Sequence, residues 1–266
     1  MKNSHPRILL TGASRGIGRA TALQLGRRGA HVVLLARDGK TLCDVAAEVR
    51  ALGGRAEVVR VDVTDDDSVN RGVAQVLAGG PIDVLVNNAG ICHQGRFCRQ
   101  GDFIALDAQQ LDEEWQLNYF GSLRMIHAVL PAMLRRGSGR IINVTSILGI
   151  SAAPTTANYS ATKAALEAFS QGLRGEVAGA GVSVEVFVAP HTQTEMGRRV
   201  LMDGVVSLPV DYVASRLARA IERPHDRSYG SPVYRVLTAL ARWWPRMMER
   251  QMRRAATTAM LRTGSE

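Results

Sequence analysis

Short apolar runs alternate with amphipathic stretches along most of the chain. The runs Arg7–Thr11, Val32–Ala36, Glu57–Val61, Ile82–Val86, Arg140–Thr145 and Val182–Val188 are rich in Val, Ile and Leu and do not alternate strictly with polar residues. Continuous apolar runs of this length predict strands covered on both faces. Between them the apolar positions recur every third or fourth residue, which predicts helices at 16–28, 39–52, 66–78, 109–136 and 158–178. Glycine-rich breaks at 27–29 and 78–80 fit helix ends. Strand–helix alternation predicts right-handed βαβ units and an α/β fold with a doubly wound parallel sheet.

Residues 1–230 read as one domain and 231–266 as a helical C-terminal extension of it. "SYGSPVYRV" (228–236) is expected to supply a last strand. In the helical pattern that follows, Val236, Leu240, Trp244, Met247, Met248 and Met252 are expected to form one apolar stripe. Arg242, Arg246, Arg250, Arg253 and Arg254 crowd the other side, and Pro245 either kinks the helix or starts a second one. Three readings are open: a cap over a cleft, a subunit contact, or peripheral contact with an anionic membrane surface.

Composition narrows the classes. The 266 residues are 46% hydrophobic and 21% charged, an ordinary globular mix. The net charge of +9 suggests nucleic acid until it is located: from Arg223 onward nine arginines face only Asp226, Glu249 and Glu266. The body carries no basic groove with interleaved aromatics, so nucleic-acid binding is not expected. Cys43, Cys92 and Cys98 have no zinc-ligand spacing and read as reduced thiols in a cytoplasmic protein, with no metal site. Neither a signal peptide nor an apolar run long enough to span a bilayer is read.

The chemistry begins at "LLTGASRGIG" (9–18). Gly12, Gly16 and Gly18 stand where the first strand meets the first helix. Glycines there permit a tight turn and close backbone approach, and the helix N-terminus offers unpaired N–H groups to a phosphate. This predicts a Rossmann-like dinucleotide site. Arg15 lies between the glycines, and Arg37 follows Ala36 at the end of the second strand. An acidic residue at that strand end would bind ribose hydroxyls; two guanidiniums instead suit a phosphate monoester, the 2′-phosphate of NADP(H). The other reading is two solvated arginines in a chain with 30 Arg and three Lys. Asp38 is expected to cap the next helix.

Tyr159 and Lys163 stand four apart and share a helix face. A lysine charge beside a phenol favours the phenolate, so Lys163 is expected to lower the tyrosine pKa toward the range of proton transfer. Ser146 precedes Tyr159 at the end of a parallel strand, where ligands of such sheets bind.

Five separated motifs, T-G-x-x-x-G-x-G at 11–18, "NNAG" at 87–90, Asn118, "INVTS" ending at Ser146, and "YSATK" at 159–163, together resemble the short-chain dehydrogenases/reductases over residues 7–196. The resemblance implies catalytic roles. Ser146 would hydrogen-bond the substrate oxygen, Tyr159 would exchange its proton with that oxygen, and Lys163 would hold the nicotinamide ribose. Asn118 would support a water that relays protons. It also implies a cofactor site of Gly12, Ser14, Arg15, Gly16, Ile17, Gly18, Arg37, Asp62, Val63, Asn88, Ala89, Gly90, Tyr159, Lys163 and Thr194. Asp62 would meet the adenine, though a turn or cap aspartate is equally open. The family's Pro-Gly after the sixth strand is replaced by Ala189-Pro190. His191 then enters the loop and is expected to face water, with pyrophosphate or substrate contact as alternatives. Thr194 would anchor the carboxamide.

The expectation is therefore an NADP-dependent ketoreductase or alcohol dehydrogenase, a homodimer or homotetramer. The segment 91–107, with Phe97, Phe103, Ile104 and Leu106 beside Arg96 and Arg99, is expected to line the mouth for an apolar carbonyl or alcohol substrate. The alternative is a non-catalytic NADP-binding regulatory or membrane-docking protein of the same fold.

Overall fold

The computed structural model describes residues 6–97, 105–200, 202 and 204–263. Seven parallel strands form one sheet: β1 (Arg7–Thr11), β2 (His31–Ala36), β3 (Arg55–Arg60), β4 (Val84–Asn87), β5 (Gly139–Ser146), β6 (Val182–Ala189) and β7 (Arg227–Tyr229), in the order β3-β2-β1-β4-β5-β6-β7. The order reverses direction between β1 and β4, so a crevice opens at their carboxyl ends. The side-chain period of two sends Leu9, Val33, Leu35 and Leu85 to one face and Ile8, Leu10, Val32, Leu34 and Val86 to the other. Helices cover both faces. On one lie α1 (Gly16–Gly26), α2 (Gly39–Ala51) and α8 (Val210–Glu222); on the other lie α3 (Asp66–Ala78), α5 (Gly121–Arg136) and α6 (Ala157–Glu176).

The six expected strands form with ends shifted by a residue or two. The expected helix 109–136 forms without a break but is not α throughout: α4 (Ala108–Trp115) and α5 flank a π-helical turn at Gln116–Phe120. The expected last strand at 228–236 is corrected to Arg227–Tyr229, because Pro232 starts a helix, α9 (Pro232–Trp243). Proline is suited to the first helical position, where its missing N–H costs nothing. Pro245 starts another, α10 (Pro245–Thr263). A short α7 (Glu195–Arg199) lies between β6 and α8.

A buried ion pair ties β5 to β6. Arg140 Nε and Nη2 lie 2.7 and 2.9 Å from the Glu185 carboxylate oxygens, and Nη2 also donates to Ala220 O of α8 at 2.9 Å. The two strands that lead into the substrate-side loops are thereby fixed to the helix layer beneath them.

Candidate active site

Ser146 ends β5, Tyr159 and Lys163 lie on α6, and the π turn presents Asn118. The turn inserts an extra residue into the helical ladder and re-aims one side chain, a device frequent at functional sites. Asn118 is fully buried. Its Nδ2 donates to Ile91 O at 2.9 Å and Thr162 Oγ1 at 3.1 Å, and its Oδ1 accepts from Ile91 N at 2.8 Å. Both amide protons are thus committed to pinning the loop after β4 onto α6.

Ser146 and Tyr159 open into one apolar cavity of about 460 Å³. Lys163 sits beneath it, donating from Nζ to Val144 O at 3.0 Å, with Nζ 5.9 Å from the centre of the Tyr159 ring. Burial pulls the Lys163 ammonium down to about 8. The net shift of the Tyr159 phenol is upward rather than downward. Burial, with smaller contributions from the Cys92 thiol and the Glu114 carboxylate, pushes the phenol up, and Ser146 acts in the opposite direction. Desolvation of the phenolate is the largest of these effects.

Glycine placement tests the fit of a dinucleotide. At Gly12 (φ 65°) a Cβ would lie 2.8 Å from Ala89 Cα, so only glycine closes the loop against the end of β4. At Gly16 (φ 56°) it would meet nothing nearer than Thr194 Cγ2 at 3.5 Å, so this side is open. The opening faces the N-terminus of α1, whose first amides have no intrahelical partner. The residues fit a pyrophosphate. Asn88 shapes the same loop, donating from Nδ2 to Thr11 O at 3.0 Å and Gly12 O at 3.3 Å; Asn88 N and Ala89 N both donate to Thr11 Oγ1. Gly90 leaves room beside Asn118 Oδ1 and Lys163 Nζ, which a Cβ there would approach to 3.1 and 3.4 Å. Val63 is buried under this crevice, Ser14 is half-buried in the glycine loop, and Ile17 borders the cavity.

Arg37 shares a second cleft with Asp62, and Arg60 and Arg71 join it. Arg15 is exposed and paired with Glu195 at 3.2 Å. Asp62 Oδ1 accepts from Thr64 N and Oγ1 at 2.9 and 2.8 Å, the turn role left open above. Asp38 caps α2 as expected, accepting from Lys40 N and Thr41 N. Thr194 caps α7, with Oγ1 accepting from Gly197 N at 3.0 Å, and borders the main cavity.

His191 does not face water, which corrects that expectation. Its ring lines the cavity, with Nε2 3.1 Å from Val200 O and Nδ1 buried without a partner. A carbonyl neighbour requires Nε2 to carry the proton, which leaves Nδ1 an acceptor. In the mouth segment 91–107, Cys92 lines the cavity and Phe97 is exposed, while Leu106 N donates to Arg96 O at 2.9 Å. Cys98, Arg99, Phe103 and Ile104 lie outside the described residues.

Several site residues were not anticipated. Glu114 is fully buried; it accepts from His93 N at 2.6 Å and Asn158 Nδ2 at 2.7 Å, anchoring the start of α6 next to Tyr159. The cavity roof comes from the C-terminal extension: Tyr234, Leu237, Met248 and Met252 close over Ile147, Leu148 and Val188. The single stripe expected there is therefore corrected. Met248 and Met252 turn inward, whereas Val236, Trp244 and Met247 are exposed.

A phosphate cradle at a sheet switch point, beside a serine, tyrosine and lysine under an apolar roof, defines a dinucleotide-dependent oxidoreductase. The chain belongs to the short chain dehydrogenase family, whose model matches residues 6–203. It is 40% identical over 194 residues to a 3-oxoacyl-[acyl-carrier-protein] reductase of Synechocystis, covering 71% of this chain and 74% of that one. It is 37% identical over 190 residues to a fatty acyl-CoA reductase of Acinetobacter baylyi, covering 71% of this chain but only 63% of the relative's length. The crystal structure of a Burkholderia cenocepacia short chain dehydrogenase in complex with NADP superposes with a TM-score of 0.80 at 29% identity, covering 95% of this chain and 99% of that one.

Proposed function

We propose that the protein is an NADP(H)-dependent ketoreductase acting on an apolar carbonyl compound, or on the matching secondary alcohol in reverse. The observation that carries this reading is the shared cavity: Ser146 and Tyr159 are polar groups side by side in a largely apolar chamber, with Lys163 beneath. Bound NADPH supplies the hydride. Ser146 donates a hydrogen bond to the substrate oxygen and Tyr159 delivers a proton to it, for which a phenol held protonated by burial is ready at neutral pH. Lys163 would hold the ribose, Asn118 fixes the loop that borders it and would support the proton relay, and Thr194 would anchor the carboxamide. Gly12, Ser14, Gly16, Ile17 and Gly18 hold the pyrophosphate; Asp62, Val63, Asn88, Ala89 and Gly90 bound the adenosine half.

Arg15 and Arg37 select the 2′-phosphate. The NADP complex of the Burkholderia relative supports this choice. Substrates are apolar because the walls are Ile147, Leu148, Met196, Val200, Leu237 and Met252. The two relatives named above carry acyl substrates in their names, and an acyl chain suits this chamber. The extension read as 231–266 belongs to the catalytic domain and closes it through Tyr234, Leu237, Met248 and Met252. A cytoplasmic setting and a homodimer or homotetramer complete the reading. The test is the NADPH-dependent reduction of 3-oxoacyl thioesters of increasing chain length. KM should fall as the chain lengthens, by up to about fourfold per buried methylene at 0.8 kcal/mol each. A KM independent of chain length would remove the acyl assignment.

A further inference from the structure

The roof over the cavity has an outer side that nothing described in the protein covers. Helix α9 is apolar on two adjoining stripes. Tyr234, Leu237 and Ala241 face inward, and on the other stripe Val233, Val236 and Trp243 are 62%, 60% and 77% exposed. At the corner into α10, Trp244 and Met247 are 58% and 42% exposed. Two adjacent exposed tryptophans with three aliphatic neighbours form a patch that a protein wholly in water rarely shows. Arginine surrounds it. Between Pro232 and Thr263 the chain carries seven arginines against the single Glu249, and Arg235, Arg242, Arg246 and Arg250 are exposed around the patch.

We propose that the outer face of α9 and the α9–α10 corner dock on an anionic lipid bilayer, with Trp243, Trp244, Val236 and Met247 entering the headgroup boundary. Two observations choose this occupant. The charge is complementary to anionic lipid, whereas a second copy of the chain meeting this face across a two-fold axis would oppose arginine to arginine. The cavity also opens here: Val233, Val206 and Gln251 line it and are exposed. No described helix is long and apolar enough to cross a membrane, so the helices lie in the interface plane. Resting on the ketoreductase reading, the docked face would let an acyl chain pass from the bilayer to Ser146 and Tyr159 without crossing water.

The test is co-sedimentation of the full-length protein with phosphatidylcholine vesicles, with and without phosphatidylglycerol. The protein should sediment with the anionic vesicles only and be released by high salt. V236E/W243E should abolish sedimentation. R242Q/R246Q should weaken it by about thirtyfold, the equivalent of about 1 kcal/mol per arginine. Both variants should keep the wild-type Tm and NADPH affinity, which separates lost docking from lost folding. No sedimentation with anionic vesicles, or equal sedimentation with neutral ones, would overturn the proposal. So would light scattering in which V236E/W243E splits a dimer into monomers. Intact ketone turnover without vesicle binding contradicts docking alone; vesicle binding without turnover contradicts the catalytic reading alone.

Discussion

Arg15 of the glycine loop and Glu195 of α7 form an ion pair 3.2 Å long across the mouth of the cofactor crevice. Both side chains are largely exposed, so the pair contributes at most about 1 kcal/mol. A charge-assisted contact from Arg15 to a phosphate contributes about 1.5–3 kcal/mol. On the proposed reading the phosphate therefore wins, and Glu195 would be a competitor that NADP(H) displaces.

Titration should show it. Arg15→Ala or Arg37→Ala should weaken NADPH by about ten- to a hundredfold and leave NADH nearly unchanged. Glu195→Gln should tighten NADPH by about two- to fivefold, since a surface pair of this size is all that is released. Ala36→Asp should shift preference toward NADH by adding repulsion against the phosphate. Equal loss of both cofactors in the arginine variants would mean that neither cation reads the phosphate.

Lys163 gives the pH dependence. Its folded pKa, pulled down to about 8 by burial, lies below the 10.5 of a free lysine. The unfolded chain therefore binds the extra proton between these values, and this group makes the fold more stable as pH rises through that window. Cofactor binding should move the opposite way, because the ammonium proposed to hold the ribose is lost above about 8. NADPH affinity should fall above pH 8 in the wild type and be weak and pH-independent in Lys163→Met. A wild-type profile flat to pH 10 would deny Lys163 that role.

Glu185 tests the frame under the site. Glu185→Ala leaves the Arg140 guanidinium buried without its carboxylate, a loss of about 3–5 kcal/mol, or roughly 10 °C in Tm at this chain length. Arg140→Met with Glu185→Leu should recover most of it, because a buried pair replaced by apolar groups of similar size is close to neutral. Thermal unfolding of the two variants decides the point.

The sheet was legible because covered parallel strands are apolar runs, and the five motifs located Ser146, Tyr159 and Lys163 before any coordinates. Helix α8 was not read: Val210, Val213, Ala214, Leu217, Ala218 and Ile221 recur at helical spacing, but they lie past the stretch where strands and helices alternate. The π turn was not legible, since one extra residue leaves the apolar period almost intact. The tail failed for another reason. Periodicity finds an apolar stripe but not what it faces, and α9 carries two. His191 was misplaced because the tendency of histidine to meet water says nothing about the carbonyl of Val200, which the fold brings from nine residues away. Arg60 comes beside Arg37 only through the pairing of β3 with β2, and Arg71 joins the cleft from α3.

The central claim is that Tyr159 protonates a ketone in this cavity while NADPH is oxidised. The most direct measurement is NADPH oxidation by wild type and Tyr159→Phe over a panel of aliphatic, aromatic, steroid and acyl-thioester ketones, with NADPH affinity measured alongside. Wild type should turn over at least one apolar ketone, and Tyr159→Phe should bind NADPH equally while losing about a hundredfold or more in kcat. Turnover in Tyr159→Phe at the wild-type rate, or NADPH binding with no ketone consumed by either protein, would contradict it.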